Sequence, residues 1–549
     1  MSDDLSAALA ELTLVQREAV EWNTGSLLVL AGPGSGKTRV LTTRIALLLQ
    51  KTSTRILALT YTTKAADEMR ERVRILSSGN DDRVLVGTFH SFCVQVLKQH
   101  GIHIGIKSDF SIYSREDDRR ALLSDALRSL GEEDLARDAG KYLKTIDSLK
   151  SRLMGPASTS KIITGATQAQ IATHVYEVYD KALKDNNILD FNSLIFETCR
   201  LIKTFPAVAQ QYRRAYQYWL LDEFQDTIPA QYFLIKMLAG DAFKNVFVVA
   251  DDDQIIYRWN GASYKQIENF RRDFGPRLIQ LPTNFRCPPE IVRIANLLVE
   301  KNTQRAPEKK PLEAGKVKLA HPVEEHIRVL QFTDDDAEAN GVAKEIASKA
   351  ESVRNSIVIL ARYRNQLEVI NNALREVGVT GVIGQRRDDF SSPHFAWLDA
   401  SLRQAAFPLD QRNLRVFIES FNKLAAIDIS VDAVISESET TSKNYIETWN
   451  NLIQASSIDA TYKALASAVL NLSTSTRQYK KFVADSLREF KRMSDEQPEN
   501  FDLIDDVSAW VSLSRDIGQS LDGNAELHEF TQELSMRSKE PPLRPNCVM

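Results

Sequence analysis

The stretch Ser26-Leu27-Leu28-Val29-Leu30-Ala31-Gly32-Pro33-Gly34-Ser35-Gly36-Lys37-Thr38 decides the fold of this 549-residue chain. Its apolar run reads as a strand buried on both faces, the glycines as a tight loop, and Arg39 to Leu49 as a helix. Strand, glycine-rich loop, Lys-Thr and helix together make a phosphate-cradling arrangement. Glycines let backbone N–H groups converge on phosphate oxygens, and the helix N-terminus adds the positive end of its dipole. On this reading Ala31, Gly32, Pro33, Gly34, Ser35 and Gly36 wrap the phosphates, Lys37 reaches the β- and γ-phosphates, and the Thr38 hydroxyl binds Mg²⁺. Ala31 stands where the strict pattern has glycine, and a chance glycine-rich turn before a helix is the competing reading.

Outward from the loop, such a site needs a second buried strand that ends in acids. Tyr218-Trp219-Leu220-Leu221-Asp222-Glu223 supplies it and continues as Phe224-Gln225-Asp226-Thr227. Asp222 would hold the Mg²⁺ shell, and Glu223 would orient or deprotonate an attacking water. A third strand, Val246 to Ala250, runs into Asp251-Asp252-Asp253-Gln254. The triple aspartate is expected to be a solvated loop, since three consecutive residues of a regular element cannot all face one ion. Gln254 is placed on the same sheet edge as Glu223.

Composition narrows the class. Apolar residues at 43% and charged residues at 26% exclude collagen-like, mucin-like and fully disordered chains. At about 150 residues per domain the length suggests three or four domains. A net charge of −4 gives no global basic footprint, so any nucleic-acid contact must come from local clusters. No apolar run approaches the roughly 18–20 residues that cross a bilayer, and Met1-Ser2-Asp3-Asp4 lacks a signal-peptide pattern. Cys93, Cys199, Cys287 and Cys547 are scattered, indicating neither a disulfide framework nor a zinc knuckle. A cytoplasmic location without membrane contact is the expectation.

Further motifs carry a family resemblance. Leu12 to Val20 includes Gln16; Leu59-Thr60-Tyr61-Thr62-Thr63-Lys64-Ala65-Ala66-Asp67-Glu68-Met69 and Gly87-Thr88-Phe89-His90-Ser91-Phe92 follow. Leu189-Asp190-Phe191, Asp222 to Thr227 and Leu281-Pro282-Thr283-Asn284-Phe285-Arg286 complete the series. In this order the chain resembles the superfamily 1 DNA helicases of the UvrD/Rep type, from about Leu12 to Arg286 and more weakly beyond. The resemblance implies an α/β fold of RecA-like P-loop NTPase motor domains with two helical insertions. It also implies ATP and Mg²⁺ as cofactors, and single-stranded or partly duplex DNA as partner.

The resemblance assigns roles residue by residue. Gln16 would read the adenine edge, Phe285 would stack on the base, and Arg39 would lie in the nucleotide site. Gln254 would sense the γ-phosphate, and Arg286 would offset charge on the transferring phosphoryl group. Tyr61, Tyr257 and Trp259 would stack single-stranded bases, with Thr62, Lys64 and His90 on the same DNA side. Core packing is the alternative for Tyr61, Tyr257, Trp259 and His90. Arg70, Arg72 and Arg74 are open between phosphate contact and a solvated helix face. Asn260 departs from the arginine usual in the family.

Along the chain, residues 1–95 and 205–290 read as the first motor domain, with 96–204 as a helical insertion. Lys301 to Pro322 reads as an exposed connecting segment. His326 to Phe332 and Ser356 to Leu360 are expected strands of a second α/β domain, 291–395, with a helix over Ala337–Ala350 between them. Residues 396–549 read as a second helical insertion, with periodic segments at Asn451–Leu472 and Phe482–Met493. The family's later H-S-x-K-G-L-E and Y-V-A-x-T-R segments are not found, which suggests a truncated chain or a partner subunit that completes the motor. The leading expectation is an ATP-driven 3′-to-5′ DNA translocase or helicase. The alternatives are a nucleotide-binding, DNA-sensing subunit beside a nuclease in antiphage defence, and a hydrolytically dead fragment.

Overall fold

The computed structural model describes residues 3–537, apart from 24, 242, 259–260, 316–326, 355, 382, 384–391, 497–500 and 522–524. The chain divides into two compact units, Met1–Val329 and Leu330–Met549.

The first unit is built on a parallel sheet. Its strands are β1 (Leu27–Ala31), β2 (Arg55–Thr60), β3 (Val84–Thr88), β6 (Tyr216–Leu221), β7 (Val246–Ala250) and β8 (Arg277–Leu281). They lie in the order β3-β2-β6-β7-β1-β8. Leu28 pairs with Val248 on one side and with Leu278 on the other, so β1 is interior. Every residue of β1 is at most 1% exposed, and β7 is likewise buried. A strand covered on both faces has no polar side, which is why these segments read as unbroken apolar runs. At roughly 1.5–3 kcal/mol for each large aliphatic side chain removed from water, this layer supplies much of the unit's stability.

Between β3 and β6 the chain makes an excursion. Two short strands, β4 (Ser111–Tyr113) and β5 (Ile188–Asp190), pair in parallel and bracket the helices Glu116–Ser129, Ala139–Lys150 and Ala166–Asp185. The Leu189-Asp190-Phe191 segment is the keystone here. Asp190 Oδ1 accepts the Ser193 N–H at 2.6 Å and so caps the helix Phe191–Thr204. Its Oδ2 accepts the Tyr179 hydroxyl at 2.8 Å and lies 3.6 Å from Arg119. Buried Lys150 reaches Ser193 Oγ and Asp180, each at 2.8 Å. Burial opposes ionisation of Asp190, but Lys150 and Arg119 outweigh it and hold the carboxyl well below its usual range.

The second unit is helical. Asp335–Ala347 and Arg364–Glu376 share a small core of Ala339, Ala343, Ile346, Ala373 and Leu374. The helices from Pro393–Ala406 to Leu527–Arg537 share a larger one, in which Trp397, Trp449 and Trp510 are fully buried.

Several expectations need correction. Residues 327–332 and 356–360 form no strand. Among the described residues no strand offers them a ladder, and Val329 at 92% and Leu360 at 90% exposure remain in solvent. The Asn451–Leu472 periodicity is two helices, Tyr445–Ala455 and Ala460–Thr474, because Asp459 accepts the Thr461 N–H and starts the second. Lys301 to Pro322 is not simply an exposed connector: Ala306 and Lys309 are buried, and β10 (Glu313–Ala314) pairs with β9 (Thr283–Asn284). Residues 316–322 lie outside the described set.

Candidate functional site

β1, β6 and β7 end side by side, and the chain turns there through its most polar residues. After β1, Gly34 and Gly36 take left-handed backbone, at φ 67° and 86°, and Lys37 starts the helix Lys37–Lys51. Both positions are crowded as well. A Cβ on Gly34 would lie 2.7 Å from Arg286 Cβ, and one on Gly36 would lie 2.9 Å from Gln16 Nε2. The space beside Gly32 is filled by Leu312. The N–H groups of Gly36, Lys37 and Thr38 have no acceptor among the described residues, leaving the helix start open to an anion.

After β6, Asp222 is 5% exposed and accepts the Glu223 N–H at 3.0 Å. Glu223 sits at φ 45°, a left-handed conformation unusual for a residue with a side chain. Its carboxylate lies 3.8 Å from Lys37 Nζ. Burial, reinforced by the nearby Glu223, pushes the Asp222 carboxyl up to about 7, and the same two causes push Asp226 up to about 7.

The triple aspartate departs from expectation: Asp251 and Asp252 are 0% exposed. Lys309 Nζ is 2.7, 2.6 and 2.9 Å from Asp251, Asp252 and Asp253. Three consecutive carboxylates do converge on one cation, because they lie on a turn beyond β7 rather than on a regular element. The ends of β6 and β7 are joined through Gln225. Gln225 donates to Glu223 Oε2 at 2.6 Å and accepts the Asp251 N–H at 2.9 Å. Gln254 donates its backbone N–H to Asp251 O at 3.0 Å, and its side chain makes no hydrogen bond among the described residues. Gln225 and Lys309 were missed; proximity of Gln225 to Glu223 in the Asp-Glu-Phe-Gln stretch was the available signal, and Lys309 had none.

The predicted nucleotide residues otherwise gather here. Buried Gln16 caps its own helix by accepting the Thr13 N–H at 3.0 Å, and donates to Ser35 O at 2.9 Å. One amide hydrogen and one lone pair remain for a ligand. Arg39 pairs with Glu11. The Phe285 N–H donates to Gly34 O at 2.9 Å, so the turn carrying Arg286 is pressed onto the loop, with both side chains exposed. The residues fit a hydrated Mg²⁺ ion: Asp226 Oδ1 is buried without a hydrogen-bond partner among the described residues, and Asp222 is a hard oxygen donor.

Beyond the end of β2, Tyr61 meets Tyr257 with ring centroids 4.8 Å apart and planes tilted by 31°. His90 is half-buried, edge-on to Phe191 at 5.1 Å. Thr62 caps the helix Thr63–Leu76, while Lys64 is exposed. On that helix Arg70, Arg72 and Arg74 pair with Asp67, Glu68 and Glu71. Trp259 and Asn260 lie outside the described residues. No described helix is long and apolar enough to cross a membrane.

Comparison with known proteins agrees with this geometry. Residues 12–275 match the UvrD/REP helicase N-terminal domain, and residues 279–544 match the UvrD-like helicase C-terminal domain. The second match covers the region in which the sequence resemblance was weak. The chain is 38% identical to the ATP-dependent DNA helicase PcrA of Bacillus subtilis over 381 residues, 68% of this chain and 50% of the relative. It is 38% identical to the PcrA of Staphylococcus aureus over 307 residues, 55% of this chain and 42% of the relative. The chain thus spans about half the length of the curated relatives it matches. With both domain models matched in order along it, the chain belongs to the UvrD/Rep helicase family.

Proposed function

We propose that the chain is the ATP-hydrolysing, DNA-engaging part of a UvrD/Rep-type DNA helicase, moving 3′ to 5′ on single-stranded DNA. The observation that carries this reading is the convergence of Lys37, Asp222, Glu223 and the Arg286 turn around one open helix N-terminus. Residues 1–95 and 205–290 would form the first motor domain, with 96–204 and 396–549 as insertions.

The free N–H groups of Gly36, Lys37 and Thr38 would receive the phosphates of ATP. Lys37 would leave Glu223 and Asp251 to bind the β- and γ-phosphates. Thr38 and Asp222 would hold Mg²⁺, which neutralises charge developing on the transferring group. Glu223, held by Gln225, would orient and deprotonate the attacking water. Arg286 would face the γ-phosphate, and Phe285 would stack on the base. The paired rings of Tyr61 and Tyr257 offer a base platform, each stacked base contributing on the order of 1–3 kcal/mol without regard to sequence. Trp259, Thr62, Lys64 and His90 would extend that surface.

The test is phosphate release with and without single-stranded DNA. DNA should stimulate it, and Lys37→Ala or Glu223→Gln should reduce it by at least about a hundredfold. Turnover indifferent to DNA and to both substitutions would remove the assignment.

A further inference from the structure

The segment 302–315 ties the buried aspartates to the phosphate loop. At its start Asn302 donates to Asp253 at 3.2 Å, Arg305 pairs with Asp253 at 3.0 Å, and the Ala306 N–H donates to Asp252 at 2.6 Å. Lys309 then enters the middle of the cluster with only 5% of its side chain exposed. Beyond it Leu312 packs on Gly32, and the Gly315 N–H donates to Asn284 O at 2.8 Å, beside Phe285.

Asp251 serves two lysines with different oxygens. Oδ1 is 2.7 Å from Lys309 Nζ, whereas Oδ2 is 3.8 Å from Lys37 Nζ and accepts no hydrogen bond. Around this point three carboxylates face Lys309 and Arg305, so the cluster presents a net single negative charge to Lys37, in addition to Glu223 at 3.8 Å. Removing Lys309 would raise that net charge to two among aspartates buried from water, where low dielectric strengthens each attraction. Lys37 would then be held by the protein rather than offered to a ligand.

We propose that Lys309 is a positioning residue: by neutralising the Asp251–Asp253 cluster it weakens the hold of Asp251 on Lys37, so that Lys37 is released to an arriving nucleoside triphosphate. The proposal rests on the nucleotide-site reading above. When Lys37 moves to the phosphates, Asp251 keeps Lys309 as its counter-ion and is not stranded as a buried anion. The three carboxylates have the separation of a cation site, their oxygens lying within 4.8 Å of one another, but the ammonium stands where an ion would.

Fluorescence titration of the full chain with a mant-labelled ATP analogue tests this. Lys309→Met should weaken binding about tenfold, and Lys309→Arg should restore most of it. The Lys309→Met/Asp251→Asn double variant should bind like Asp251→Asn alone, because the anion through which Lys309 acts is gone. A purely structural role would give additive losses instead. Wild-type affinity in Lys309→Met, or additive losses, would overturn the proposal. If Lys309→Met does not fold, Asp251→Asn decides alone: binding at least as tight as wild type is expected, and weaker binding overturns the idea. A wild-type chain that fails to bind the analogue overturns the nucleotide-site reading itself, a result distinct from the others.

Discussion

Asp222 and Asp226 show how one carboxylate conditions another. Both are closed off from solvent beside Glu223, and both are pushed up to about 7. For Asp222 the folded value lies above the ordinary 3.8, so the folded state binds the proton more tightly than the unfolded one. Ionised Asp222 therefore destabilises the metal-free chain above pH 7, and that penalty fades as pH falls from about 7 toward 3.8. Thermal melting should show Asp222→Asn stabilising the metal-free protein at pH 8, with that advantage shrinking below pH 7 and gone by about pH 4. An advantage that does not change with pH would contradict the assignment of the shift. Protons should likewise compete with Mg²⁺ below pH 7, a trend readable by calorimetry.

At the scale of elements, Asp190 joins a strand end, a helix cap and two buried cations. Asp190→Ala would remove the anion 3.6 Å from Arg119 that Lys150 also stabilises, leaving Arg119 with Asp147 and Lys150 with Asp180. Breaking a buried pair in this way costs about 3–5 kcal/mol, so urea unfolding should show a loss of that size. A loss under 1 kcal/mol would mean that Asp147 and Asp180 suffice. The same scale shows what the sequence made legible. β1, β6 and β7 could be read because burial on both faces leaves an unbroken apolar run, and the glycines and acids at their ends are local signals. Residues 327–332 and 356–360 carry equally apolar runs, but an apolar run states only a preference for burial; whether a ladder partner exists is decided elsewhere in the chain. Gln225 and Gln254 are the same residue type near the ends of adjacent strands, and only coordinates tell which side chain bridges them. Lys309 meets Asp251 across 58 positions, a separation that no periodicity encodes.

For the whole molecule, the exposed apolar residues are unevenly placed. Val329 and Leu360 are accompanied by Leu330, Val358 and Tyr363, each more than half exposed. The helix Pro289–Val299 also presents Ile291, Ile294, Leu297 and Leu298 to solvent. Apolar side chains presented to water in this number are the chemistry of a surface prone to association. In practical handling this protein should be colloidally fragile. Light scattering should show concentration-dependent self-association that ammonium sulfate promotes, since excluded salts strengthen apolar association, and Val329→Lys with Leu360→Lys should suppress it while leaving nucleotide binding intact.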